Sequence, residues 1–231
     1  MDRRPGDLPY KYCIAIALTL GTAWAARGQF GHEYGAAWAG AIAMMGIIVF
    51  AGRTDWLLRL PAMTAVSSIG WGASGIISYG LVVGYGRSDS FPNVLYGLSM
   101  LFLIGSLYGF IGGGLSALAL EEKDNRKVSW SGLITQMIVG GVLFWFIITY
   151  QLGYTMTPPR SKLLTVSLGA ACALGWFLYR NQYHASLRVA LWTMGGTGLG
   201  FALGNFLQTL GSVSGIDFNW WNVMEYSIGF L

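Results

Sequence analysis

The placement of charge constrains this chain more than any other feature. Its 231 residues contain seven long intervals without Asp, Glu, Lys or Arg: 12–26, 34–52, 60–86, 90–120, 128–159, 163–179 and 189–216. A helix needs about 20 such residues to cross the hydrocarbon core of a bilayer. Hydrocarbon offers the backbone no water, so only a helix or a closed barrel can span it. Barrel strands alternate polar and apolar residues over about 10 positions, and stretches such as 94–120 and 128–150 do not alternate. The sequence therefore predicts an all-α, polytopic integral membrane helical bundle in one transmembrane domain. Seven crossings are expected near 10–27, 34–52, 62–85, 93–120, 129–152, 163–180 and 188–211. Residues 220–231 form a partial crossing or interfacial helix, because twelve residues reach only about 18 Å as a helix.

Composition agrees: 54% of residues are apolar and 10% charged, against about 25% charged in soluble domains. A secreted disulfide scaffold and a disordered tail are excluded. The net charge of +4 lies in loops with no basic stripe among exposed aromatics, so the expected partner is the lipid bilayer and no nucleic acid. The first residues look superficially like a signal peptide, with Arg3, Arg4 and Lys11 before an apolar run and an Ala23-Trp24-Ala25 step. They are expected to stay as the first crossing. Cys13 and Cys172 fall inside predicted helices and are expected to be buried, inert thiols.

Orientation follows from Lys and Arg on alternate loops. With the N-terminus inside, Arg3, Arg4, Lys11, Arg53, Arg59, Lys123, Arg126, Lys127, Arg180 and Arg188 are cytoplasmic, ten of the fourteen basic residues. Arg27, Arg87, Arg160 and Lys162 make up the other four. The expected location is a bacterial inner (plasma) membrane with a cytoplasmic N-terminus.

Helices in lipid associate largely through close packing of small residues. Gly196, Gly200 and Gly204 repeat at four-residue spacing, as do Gly105, Gly109 and Gly113, and Gly80 with Gly84. These ridges are expected to pack within the bundle, with contact to a second copy or another membrane subunit as the other use. Gly21-Thr22 leading to Gly28-Gln29-Phe30 also parallels Gly196-Thr197 leading to Gly204-Asn205-Phe206. Many transporters are built from such internal repeats.

The segment richest in chemistry joins the first two apolar runs: Arg27-Gly28-Gln29-Phe30-Gly31-His32-Glu33. Fifteen apolar residues supply only about 22 Å of helix, so the first crossing draws Arg27 and Gln29 toward hydrocarbon. Ionisable groups there are costly and mark functional sites by default. Arg27 and Glu33 can neutralise each other, and His32 titrates near neutral pH. Asn205 and Gln208 share a helix face three residues apart and fall in the same outer half. The candidate substrate- or ion-binding set is therefore Arg27, Gln29, His32, Glu33, Asn205 and Gln208, while Trp24, Trp38, Trp71, Tyr34 and Tyr79 read as an interfacial belt first and as pocket lining second. Glu225 and Asp217 near the outer end read as contacts between helices. One His beside one Glu is no metal-ligand set, and no Walker, Rossmann, haem or zinc signature is present, so no cofactor is expected.

One string, Gly72-Ala73-Ser74-Gly75, resembles the nucleophile motif of rhomboid intramembrane serine proteases. That resemblance implies a Ser74 nucleophile activated by a histidine from a later helix. Here His32 precedes Ser74 and His184 is expected at the cytoplasmic end of its helix, so the family's chain order and geometry are not met. Ser74 is read instead as bonding to its own helix backbone. The function expected is a transporter or channel for a small polar solute or ion, with the Arg27 to Glu33 segment at its outer mouth. The alternative is a noncatalytic scaffold subunit of a larger membrane complex.

Overall fold

The computed structural model describes residues 10–123, 125–155 and 161–231. Arg3, Arg4 and Arg160, which enter the orientation count, lie outside them. Every regular element among the described residues is a helix, and one isolated bridge joins Lys123 and Arg126. In order it forms α1 (Tyr10–Ala26), a 3-10 turn (Arg27–Gln29), α2 (His32–Ala51), α3 (Thr54–Leu57), α4 (Leu60–Ser74) and α5 (Gly80–Gly86). Then come α6 (Phe91–Glu121), α7 (Trp130–Phe144) running into a π-helix (Trp145–Gln151), α8 (Ser161–Arg180), α9 (His184–Val213) and α10 (Trp220–Phe230).

Four of these stretches are long and apolar enough to cross a membrane: His32–Ala51, Phe91–Glu121, Trp130–Gln151 and Lys162–Arg180. They are compatible with an integral membrane protein. The third expected crossing, 62–85, is not one helix. It divides into α4 of 15 residues and α5 of 7. The backbone between them is folded into the protein, with Ile77 and Tyr79 buried. A Cβ on Gly75 would stand 2.7 Å from the carbonyl oxygen of His32 and 2.8 Å from the Glu33 Cα, so the chain turns where it meets the start of α2. The Tyr108 hydroxyl donates to the Ile77 carbonyl at 2.8 Å, satisfying a group that the broken helix leaves open. A buried backbone group released from a helix needs such a partner.

α6 and α9 form the antiparallel centre. A Cβ on Gly105 would run into the Thr197 carbonyl and one on Gly109 into that of Thr193, while the Thr193 hydroxyl donates to the Gly109 carbonyl at 2.8 Å. The ridge of Gly196, Gly200 and Gly204 receives α10, where added Cβ atoms would meet the backbone carbonyls of Leu231, Ile228 and Met224. On its other side α10 packs against α1 at Gly21. α2 and α4 close around Trp71, whose ring fills the notches at Gly40 and Gly112. Gly80 and Gly84 depart from the expected pattern: a Cβ on either meets nothing, because α5 is short and turns that side outward.

The two thiols also differ from expectation. Cys13 and Cys172 are both exposed on the outside of the bundle, where an apolar environment would be lipid and not protein. Asp55, at the turn between α2 and α4, receives two hydrogen bonds from Arg53 at 2.6 and 3.1 Å. Its carboxyl is held below the ordinary range by that guanidinium.

Candidate functional site

α1 ends well short of the far end of the central helices. Phe201, which packs its ring on Tyr79 at 4.8 Å, is the eighteenth of the 30 residues of α9. Tyr108, bonded to Ile77, is the eighteenth of the 31 residues of α6. The α4–α5 break therefore lies level with the middle of both central helices. α9 runs on for 12 residues past Phe201, about 18 Å, while α1 has already ended at Ala26.

Into this level α1 delivers Arg27, and α10 delivers Glu225 from the opposite direction. The Arg27 Nη2 lies 3.0 Å from Glu225 Oε2, with the two side chains 2% and 4% exposed. The Tyr79 hydroxyl at the end of the break donates to both carboxylate oxygens, at 3.1 and 2.9 Å. The guanidinium lies over the Trp24 ring at 4.4 Å and the Tyr79 ring at 5.2 Å. Its Nε is buried with no acceptor. A pair taken out of water is held only when hydrogen bonds complete the geometry, and removing one partner costs about 3–5 kcal/mol.

His32 begins α2 after Gly31, whose φ of +80° makes the turn into that helix. The His32 ring stands edge-on to Tyr79 at 5.1 Å, and its Nε2 lies 3.4 Å from the Ser78 hydroxyl. Ser78 and Tyr79 thus link the half-buried histidine to the buried pair through adjacent residues of the break.

The structure gathers part of the expected set. Arg27 and His32 meet around Tyr79. Glu33 sits half-buried in the first turn of α2, and the carboxylate on Arg27 is that of Glu225 in its place. Gln29 is exposed on the 3-10 turn. Asn205 and Gln208 are buried and hydrogen-bond each other at 3.2 Å. The Asn205 amide donates to the Val83 carbonyl at 3.3 Å, and the Thr209 hydroxyl donates to that of Gly86 at 3.4 Å. These α9 side chains hold the last turn of α5, whose first end carries Tyr79. Of the five aromatic residues read as pocket lining or as an interfacial belt, Trp24 and Tyr79 are at the site, Trp71 packs α4 against α2 and α6, and Tyr34 and Trp38 face outward.

Glu225, read from the sequence as a contact between helices, and Ser78, which the sequence did not single out, complete the cluster. A lone charge in the mostly apolar helix Trp220–Phe230 demands a partner, and that signal was available. Ser74 is buried, and its hydroxyl donates to the Trp71 carbonyl at 2.7 Å, as expected of a serine bonding to its own helix. Four cavities of about 320 to 530 Å³ have almost wholly apolar walls, and none of the four is lined by Glu33 or Asn205.

An all-helical bundle with a broken helix and a buried ion pair at mid-length is the class of protein these observations define. The chain matches no family model, no curated protein and no solved structure, so its function is argued from this geometry.

Proposed function

We propose that the protein is a membrane transporter or channel for a small polar solute or ion, held here in an occluded state. The observation that carries this reading is the α4–α5 break, which sets Tyr79 on the buried Arg27–Glu225 pair halfway along α6 and α9. Transporters bind substrate near the bilayer midplane with interrupted helices of this kind. Intramembrane charges with no use are readily replaced by apolar residues.

In this reading the chain makes seven passes in an inner (plasma) membrane, with α1 ending at the level of the site, α4 and α5 sharing one pass, α10 reaching halfway, and the N-terminus cytoplasmic. The Arg27 site, at mid-length of α6 and α9, then opens to the outer half, with Arg27 and His32 as binding residues, Glu33 beside them, and Asn205 and Gln208 supporting α5. Flux of a panel of ions and small polar solutes into vesicles containing the purified chain tests it. Wild type should carry at least one of them, and Arg27→Gln should lose that flux while remaining folded. Equal flux in both would remove Arg27 from the pathway.

The scaffold reading has one observation of its own. α7 is little covered, and Ile134, Ile138, Val142 and Leu143 are about half exposed, a face that lipid or a partner helix would complete. Co-purification of a stoichiometric membrane subunit, with no flux for any solute, would favour it.

A further inference from the structure

If Arg27, Tyr79 and Glu225 form the transport site proposed above, their chemistry restricts what the site can carry. We propose that it binds a small monocarboxylate together with one proton, the substrate carboxylate taking the place of Glu225 on Arg27 while Glu225 holds the proton.

The donors argue for an anion. Guanidinium groups carry a fixed positive charge, so a cationic substrate beside Arg27 would set two positive charges against one carboxylate in dry surroundings. The groups that converge here are an Arg Nη2 and a Tyr hydroxyl, and both already serve a carboxylate. Glu225 engages only one side of the guanidinium fork. The neighbouring Nε is buried and has no acceptor, whereas a free carboxylate can take Nε and Nη2 together in the bidentate arrangement that guanidinium favours.

Charge balance argues for the proton. A second carboxylate beside an ionised Glu225 would leave two anions on one cation. With a proton on a Glu225 oxygen, Arg27 is released and one substrate anion restores neutrality. No covalent bond breaks in this step, and the proton comes from solution.

The groups facing Glu225 are few. The 3-10 turn gives Arg27, the break gives Tyr79, and α2 gives His32 behind the Tyr79 ring with Glu33 next to it. The two helices packed on α10 contribute no charge there, since 12–26 and 189–216 are free of it. Glu225, the carboxylate held by both Arg27 and Tyr79, is therefore the acid placed to take the proton, and His32, between Tyr79 and the exposed turn, is placed on its entry route.

L-Lactate, with chloride as the comparison ion, tests the proposal on the purified full chain, using its melting temperature in detergent to follow binding. Wild type should bind lactate more tightly as pH falls, by about tenfold per pH unit above the Glu225 titration, the slope of a one-proton linkage. Glu225→Gln, which mimics the protonated acid, should bind it equally at pH 5.5 and pH 8. Arg27→Gln should not bind it. Tyr79→Phe keeps the ring and should weaken binding several-fold, which covers the case in which Glu225→Gln fails to fold.

Binding independent of pH in wild type, binding to Arg27→Gln, or chloride bound as tightly as lactate would each overturn the proposal. In vesicles loaded with a pH dye and clamped at zero voltage, a lactate gradient should acidify the lumen. Lactate binding without acidification would overturn the transport reading and leave the site assignment standing. Absence of lactate binding would overturn this assignment, and the solute panel would then judge the transport reading separately.

Discussion

Arg27 and Glu225 lie 198 residues apart in sequence and 3.0 Å apart in space. The contact joins the end of α1 to the middle of α10, and it can form only because α10 enters the bundle between α1 and the glycine ridge of α9. Two charges are thus kept out of water by an element of eleven residues. The pair specifies where α10 docks, since residues 12–26 of α1 carry no charge and Arg27 follows directly at its end.

Removing one member strands the other. Glu225→Ala should cost about 3–5 kcal/mol and lower the melting temperature markedly. Replacing both, as Arg27→Met with Glu225→Leu, should recover most of that loss. The double-mutant cycle in detergent measures the coupling, and additive losses would show that the pair contributes nothing beyond its separate side chains.

The glycine ridge of α9 makes a second prediction, with a control inside the same protein. A Cβ on Gly200 would lie 3.1 Å from the Ile228 carbonyl and 3.4 Å from the Leu231 Cβ. Gly200→Leu should therefore push α10 away and destabilise by about 1–3 kcal/mol, the usual cost of overpacking. Gly84→Ala meets nothing and should be neutral, or stabilising by up to about 1 kcal/mol through helix propensity. Equal melting of Gly200→Leu and the parent would mean that α10 does not pack on this ridge.

Much of the architecture was legible in the charge-free intervals. Those at 34–52, 90–120, 128–159 and 163–179 became helices of membrane-spanning length close to the expected bounds. The interval 60–86 misled because hydropathy counts apolar residues and does not see backbone contacts. Gly75 packs on the His32 carbonyl, a tertiary event with no local signature. In the site, Arg27 and His32 stood out because they sit next to short apolar runs. The partner of Arg27 did not, because Glu33 was near in sequence, whereas Glu225 reaches it only through the docking of α10. The likeness at Ser74 was a string match alone. The histidine that approaches a serine is His32, and that serine is Ser78.

Topology gives a third prediction. With a cytoplasmic N-terminus, the turn at Asp55 and the segment at Glu122 face the cytoplasm, while Asp89 faces outward. Single cysteines at these positions, in a background where the exposed Cys13 and Cys172 are replaced by Ala, should react accordingly with an impermeant thiol reagent in intact cells. Labelling at position 122 from outside together with none at position 89 would invert the orientation.

The last prediction concerns the break that places Tyr79. Gly75 touches the start of α2, with less than 3 Å between a hypothetical Cβ and both the His32 carbonyl oxygen and the Glu33 Cα. Even Gly75→Ala should force α4 and α2 apart. The displacement falls on the link that carries Ser78 and Tyr79, so the Tyr79 hydroxyl should move off Glu225 while the Arg27 contact, held by α1 and α10, remains. The expected result is a modest stability loss of about 1–3 kcal/mol with a disproportionate loss of any flux. Gly72→Ala separates the two effects. Its Cβ would lie 3.1 Å from the Ala37 Cβ, one turn back from the break, where a small shift of α4 relieves the contact without moving Tyr79. A Gly75→Ala variant that keeps its flux per folded molecule would show that the break is a packing feature, and the functional weight would then rest on Arg27 and Glu225 alone.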